Sequence, residues 1–179
     1  GIRRCGKSTL LTQYQDWLKE NGIPEEQIVS INFEELEYEE LLDYKKLYAH
    51  LKDHLVAGAK TYIFLDEIQK VVAFEKVVDS LYVKPDVDIY ITGSNAYMLS
   101  GDLATLLTGR YVEIKMLPLS FREFLSVTKL DKDRGFAEYM RTGGLPYLAV
   151  MDRTPQKVET YLEGIYNTVI VKDIEDRQA

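Results

Sequence analysis

Residues Thr61 to Leu65, Thr-Tyr-Ile-Phe-Leu, form a β-run without polar alternation that stops abruptly at Asp66-Glu67. A strand with one wet face alternates apolar and polar residues, whereas a strand covered on both faces does not. The run therefore predicts a parallel sheet held between helical layers. Gln27 to Phe33 and Val87 to Thr92 read as companion strands. Helical repeats separate them: Leu10, Leu11, Tyr14, Trp17 and Leu18 in one helix, Phe74, Val77, Val78, Leu81 and Tyr82 in another. Asn21, Gly22 and Pro24 stop the first helix, and Pro85 closes the second. Between them, the acidic and aromatic stretch Glu34 to Tyr48 reads as a solvated loop and helix start, which Leu47, Leu51 and Leu55 continue toward Gly58.

A further helix carries Leu103, Leu106 and Leu107, and Tyr111 to Met116 follows as a strand. This β–α alternation predicts a three-layer α/β domain with a mostly parallel sheet over residues 1–117. The pattern changes after Pro118. Ser120 and Glu123 make a capping box for a helix over Ser120 to Leu125, Asp131 to Gly135 reads as a charged loop, and Gly143-Gly144-Leu145-Pro146 as a turn. Thr154 and Pro155 open a last helix faced by Val158, Leu162, Ile165, Tyr166, Val169 and Ile170. Residues 118–179 thus read as a mainly helical lid or the start of an accessory domain.

Composition narrows the function classes. With 46% apolar residues in 179, the chain has enough material for a buried core. Its net charge of −7 gives no support to a surface built to grip nucleic acid, although a local basic patch stays compatible with such binding. No apolar run has the length of a membrane span and no secretory signal opens the chain. Cys5 is the sole cysteine, so no internal disulfide forms and a reduced cytoplasm is the expected setting. Position 1 is Gly rather than Met, and the chain reads as beginning inside a longer sequence.

The residues at that beginning, Gly1-Ile-Arg-Arg-Cys-Gly-Lys-Ser8, match the phosphate-cradling pattern G-x-x-x-x-G-K-[ST]. Gly1 and Gly6 let backbone N–H groups turn inward, Lys7 reaches the β- and γ-phosphates, and the Ser8 hydroxyl ligates Mg²⁺. Thr9 continues the loop into the first helix, whose N-terminal N–H groups and dipole favour phosphate. Such a loop normally hangs from a buried strand, so the first strand of the sheet is expected to be missing from the chain.

Where a P-loop ATPase needs an acidic pair, the Thr61 run supplies one. Asp66 would hold Mg²⁺ through water, and Glu67 is the better candidate for polarising the attacking water. An Asp-Glu pair that merely ends a strand is the plainer alternative. Ser94 and Asn95 end the next strand, where a polar side chain orients water or binds the γ-phosphate; Gly-Ser-Asn is equally turn chemistry. Arg110 reads either as a finger neutralising transition-state charge, in cis or in trans, or as a surface ion pair. Arg3 and Arg4 read as structural or interfacial. His50 and His54 share a helix face but lack both the H-E-x-x-H pattern and a third ligand, so they read as surface histidines. Cys5 lies near a helix N-terminus, yet packing explains it better than redox control.

Taken together, Gly1 to Leu11, Phe-Leu-Asp-Glu-Ile-Gln (64–69), Ile-Thr-Gly-Ser-Asn (91–95), Leu-Thr-Gly-Arg-Tyr (107–111), Leu-Pro-Leu-Ser-Phe-Arg-Glu-Phe-Leu (117–125) and Gly-Gly-Leu-Pro (143–146) resemble a known family. It is a family of bacterial and archaeal AAA-type P-loop ATPases that carry a C-terminal domain of unknown function. The resemblance implies the additional-strand sheet order, ATP with Mg²⁺ as ligands and a glutamate-assisted hydrolysis site. It implies no known substrate beyond the nucleotide.

The expected function is Mg²⁺-dependent ATP hydrolysis coupled to conformational change, with an unidentified protein partner engaged through the C-terminal region. One alternative is a nucleotide-dependent switch or interaction module with little turnover. Another is a small-molecule phosphotransferase, against which the strand-end Asp-Glu pair speaks.

Overall fold

A computed structural model describes residues 3–93 and 110–178, with side chains through residue 167. The expected helix through Leu103, Leu106 and Leu107 lies outside the described residues. The chain divides into two compact units, Lys7–Lys115 and Gly1–Gly6 together with Met116–Ala179.

In the first unit, three parallel strands pair in the order β1 (Ile28–Asn32), β2 (Thr61–Asp66), β3 (Val87–Ile91). Helix α2 (Tyr44–Asp53) connects the first pair and α3 (Phe74–Tyr82) the second. On one face of the sheet, Val29, Ile31, Ile63 and Leu65 pack into a core with Leu47 and Leu51 of α2 and Phe74, Val77 and Leu81 of α3. On the other face the Phe64 ring stacks on Tyr90, with centroids 4.9 Å apart. Tyr14 of α1 (Lys7–Glu20) sets its ring against both, at 6.0 and 5.2 Å. Both faces of β2 are thus covered, which is the physical reason its sequence does not alternate. The expected three layers, α1, sheet, and α2 with α3, are present.

Local chemistry sets the helix ends. Gly22 takes a φ of +86°, and the Ile23 N–H bonds the Leu18 carbonyl while the Gly22 N–H bonds that of Lys19. That six-to-one and five-to-two pair closes α1 in a Schellman turn. Asp43 caps α2, its carboxylate accepting from the Lys45 and Lys46 N–H groups at 2.8 and 3.1 Å. The acidic stretch before it is a 3-10 helix, Leu36–Leu42. Helix α2 stops at Asp53, short of the expected Gly58. The chain turns there because the Val56 N–H bonds the Thr61 hydroxyl at 3.0 Å, tying the connection to the start of β2.

Residues 111–116 do not form the expected strand. Val112 and Ile114 keep the alternating pattern but are 90% and 72% exposed. A strand needs a neighbouring ladder for its N–H and C=O groups, and among the described residues none pairs with this segment.

The second unit is helical: α4 (Phe121–Thr128), α5 (Lys132–Thr142), α6 (Pro146–Val150) and α7 (Pro155–Gln178). The capping box of α4 is complete, with the Ser120 hydroxyl accepting from the Glu123 N–H and the Glu123 carboxylate accepting from the Ser120 N–H. The Ser120 hydroxyl, which also donates to the Glu123 carboxylate at 2.6 Å, and then the Ser120 N–H hold that carboxyl below the ordinary carboxylate range. The expected charged loop at Asp131 to Gly135 is instead the first turn of α5, which Asp131 caps through the Arg134 N–H. Gly143, at φ +75° and ψ −168°, ends α5 in a backbone region essentially reserved for glycine. Gly144 then returns the chain to Leu119, accepting from its N–H at 2.6 Å. Tyr139 donates its hydroxyl to the Leu119 carbonyl and sets its ring edge-on against the buried Phe124.

Candidate functional site

The direction of α1 follows from its connections. A short link, Asn21–Gln27, joins its C-terminus to the start of β1, so the helix runs antiparallel to the strands. Fourteen residues of helix cover about 21 Å, close to the length of β2. The first turn of α1, with Lys7, Ser8 and Thr9, therefore lies at the C-terminal edge of the sheet, the edge at which β2 delivers Asp66 and Glu67. Crevices at this edge are where open parallel sheets take ligands. The residue leading into the helix, Gly6, sits at φ +97°, and Arg4 is also left-handed at φ +62°. A side chain at position 6 would be strained, which is why the loop ends in glycine. Gly1 lies outside the described residues.

At the end of β2, Asp66, Thr92, Glu67 and Gln69 form one hydrogen-bonded group, in which Glu67 meets Thr92 through its backbone N–H. Asp66 is 8% exposed, and its carboxylate accepts the hydroxyl of Thr92 from the end of β3. The same Thr92 oxygen accepts the Glu67 N–H at 3.3 Å. Backbone bonds lock the two strand ends together, Thr92 N–H to Leu65 carbonyl at 3.0 Å and Ile68 N–H to Thr92 carbonyl at 3.1 Å. Glu67 adopts φ 55° and ψ 43°, a left-handed conformation that costs a non-glycine residue about 1–2 kcal/mol. It turns the chain sharply into the 3-10 helix Ile68–Lys70. From that turn, the Gln69 amide donates to the Glu67 carboxylate at 2.5 Å.

Thr92 and Gln69 were not singled out by their sequence positions. The signal for Thr92 was register: Leu65 pairs with Ile91, which sets the next residues, Asp66 and Thr92, side by side. Gln69 had no such signal, because its role depends on the left-handed turn at Glu67.

Ser94 and Asn95 lie outside the described residues. Arg110 pairs with Asp79 of α3 at 3.1 Å and lies over the Tyr82 ring. The Arg4 guanidinium sits over the Tyr161 ring, 5.5 Å from its centroid. Cys5 is buried, in line with packing. The rings of His50 and His54 lie 4.2 Å apart with the His54 Nδ1 at the His50 carbonyl, and among the described residues no third ligand joins them.

The donor set suits a nucleoside triphosphate with a hard divalent cation. Lysine, hydroxyl and N–H groups on the first turn of α1 match phosphate oxygens, and the strand-end carboxylate of Asp66 matches Mg²⁺. A parallel sheet with a Gly-Lys-Ser helix start and an Asp-Glu pair at one edge defines a P-loop nucleotide-binding domain. A family model described as an AAA domain matches residues 1–125, and the chain belongs to that family.

Two relatives extend beyond the matched span. An uncharacterized protein of Haemophilus influenzae is 44% identical over 183 residues, covering 99% of this chain and 45% of its own length. An uncharacterized protein of Methanocaldococcus jannaschii is 29% identical over 192 residues, covering 96% of this chain and 41% of its own. The chain thus spans less than half of either relative. Among the described residues no helix is long and apolar enough to cross a membrane.

Proposed function

We propose that this chain is the catalytic domain of a Mg²⁺-dependent ATPase that couples hydrolysis to conformational change. The observation that carries the reading is the shared sheet edge of the Lys7–Ser8 helix start and the Asp66-Glu67 strand end. Lys7 binds the β- and γ-phosphates, while Gly1, Gly6 and Thr9 shape the loop around them. Ser8 and Asp66 hold Mg²⁺, which supplies charge neutralisation on the phosphates when bound. Glu67 orients the attacking water and takes its proton as the γ-phosphoryl group transfers, leaving ADP and phosphate. Ser94 or Asn95 completes the water's hydrogen bonds, and Arg110 neutralises charge on the transferring group. The helical C-terminal unit passes the change to a protein partner, a role suited to the exposed apolar side chains Phe136, Met140, Tyr147 and Val150. The lone buried cysteine agrees with a cytoplasmic setting.

Two substitutions in the full-length protein test the assignment. Lys7→Ala is expected to abolish ATP binding in a calorimetric titration. Glu67→Gln is expected to keep binding and lower kcat by roughly 100- to 10,000-fold. Unchanged hydrolysis in the Glu67→Gln protein would remove that residue from the mechanism.

A further inference from the structure

We propose that Gln69 is a positioning residue for Glu67, its side-chain amide holding the carboxylate in the orientation from which it meets the attacking water. The inference rests on the ATPase reading and deepens it. The contact is short, 2.5 Å from Gln69 Nε2 to Glu67 Oε2, and joins residues of one tight turn. That turn is itself fixed, since the Lys70 N–H bonds the Glu67 carbonyl at 3.2 Å and the Val71 N–H bonds that of Ile68 at 2.9 Å.

The chemistry of the pair decides which way the amide faces. An ionised carboxylate only accepts, so the Gln69 NH₂ group must point to Glu67 and its carbonyl must point away. The consequence is visible: Gln69 Oε1 is buried and has no hydrogen-bond partner among the described residues. A buried carbonyl without a donor is destabilising. Stability alone therefore does not account for a glutamine here, because an apolar side chain of the same length would fill the space without leaving an orphan acceptor. What the amide supplies is the hydrogen bond to Glu67. With Oε2 engaged, the carboxylate rotor is held and Oε1 is the oxygen left to face water. Thr92 sets the backbone of Glu67 from one side, and Gln69 sets its side chain from the other.

The test is Gln69→Met in the full-length protein, which keeps length and bulk while removing the amide. The expected result is a thermal midpoint equal to or above that of the wild type, an ATP Kd within about twofold and a kcat about 10- to 100-fold lower. A second measurement needs no turnover. With isotope-labelled glutamine, the Gln69 side-chain amide signals of the ligand-free protein are expected to be displaced by the carboxylate and to return to ordinary positions in Glu67→Ala. Wild-type kcat in Gln69→Met, loss of ATP binding in it, or Gln69 signals indifferent to Glu67→Ala would each overturn the positioning role. A wild-type protein without ATP turnover would overturn the ATPase reading, and the positioning role with it.

Discussion

Thr92 joins two strand ends through one oxygen: it donates its hydroxyl to the Asp66 carboxylate and accepts the Glu67 N–H. Both residues of the acidic pair therefore depend on a side chain from the neighbouring strand. Thr92→Val keeps the shape but leaves a nearly buried carboxylate and a backbone N–H without that partner. The expected cost is about 1–3 kcal/mol in chemical denaturation, with weaker Mg²⁺-dependent nucleotide binding. Wild-type stability in Thr92→Val would show that water replaces the hydroxyl at no cost.

Arg110 and Asp79 form an ion pair whose side chains are 50% and 36% exposed. Pairs this exposed contribute at most about 1 kcal/mol, so Asp79→Asn is expected to shift the unfolding midpoint little. Releasing the guanidinium should leave turnover equal or raise it. Arg110→Ala, in contrast, is expected to lower kcat by roughly 1,000-fold or more, the range of an arginine that neutralises phosphoryl-transfer charge. Equal turnover in both variants would confine Arg110 to its ion pair.

Two glycines of the C-terminal unit should respond oppositely to alanine. At Gly144 a Cβ would collide with the Leu119 carbonyl oxygen, part of a backbone that cannot yield. Gly144→Ala is expected to destabilise the unit by about 1–3 kcal/mol. At Gly135, within α5, the Cβ meets the end of the Leu125 side chain, which can rotate away. Gly135→Ala therefore gains helix propensity, up to about 1 kcal/mol, against a small packing cost. Thermal melts of the two variants decide the contrast.

His50 titrates below the ordinary histidine value, first because burial disfavours its charged form and then because His54 repels it. The unfolded chain takes up this proton at higher pH than the folded one. The resulting penalty is full below the folded pKa and disappears as pH rises through the unfolded value near 6.5. Denaturation midpoints are thus expected to rise as the pH climbs toward and through about 6.5. His50→Gln should flatten that rise, and His54→Ala should flatten part of it. A slope unchanged in His50→Gln would assign it to other groups.

Much of the architecture was legible because burial writes itself into spacing. The uninterrupted apolar run of β2, the helical repeat through Phe74, Val77 and Leu81, and the Ser120–Glu123 capping box appear as read. The misreadings have separate causes, a missing neighbour in one case and masked local chemistry in another. Val112 and Ile114 carry a strand's alternation, yet alternation describes a face and not a neighbour. Lys132, Asp133 and Arg134 looked like a loop because their charges obscured the Asp131 cap that starts α5. Asp66 and Glu67 announced themselves as a pair. Thr92 and Gln69, which hold them, became visible only with strand register and the backbone turn in place.

The left-handed backbone of Glu67 places a double filter on that position. On the proposed ATPase reading chemistry asks for a carboxylate, while sterics independently discourage β-branched residues such as Val, Ile and Thr. A descendant of this chain that no longer needed turnover would be released from the first filter only. Its substitutions at 67 should then gather on Asn, Asp and Gly, the residues that enter this region most readily. An idle copy of the domain would carry its history as a small residue at the end of β2, with the sheet beneath it intact.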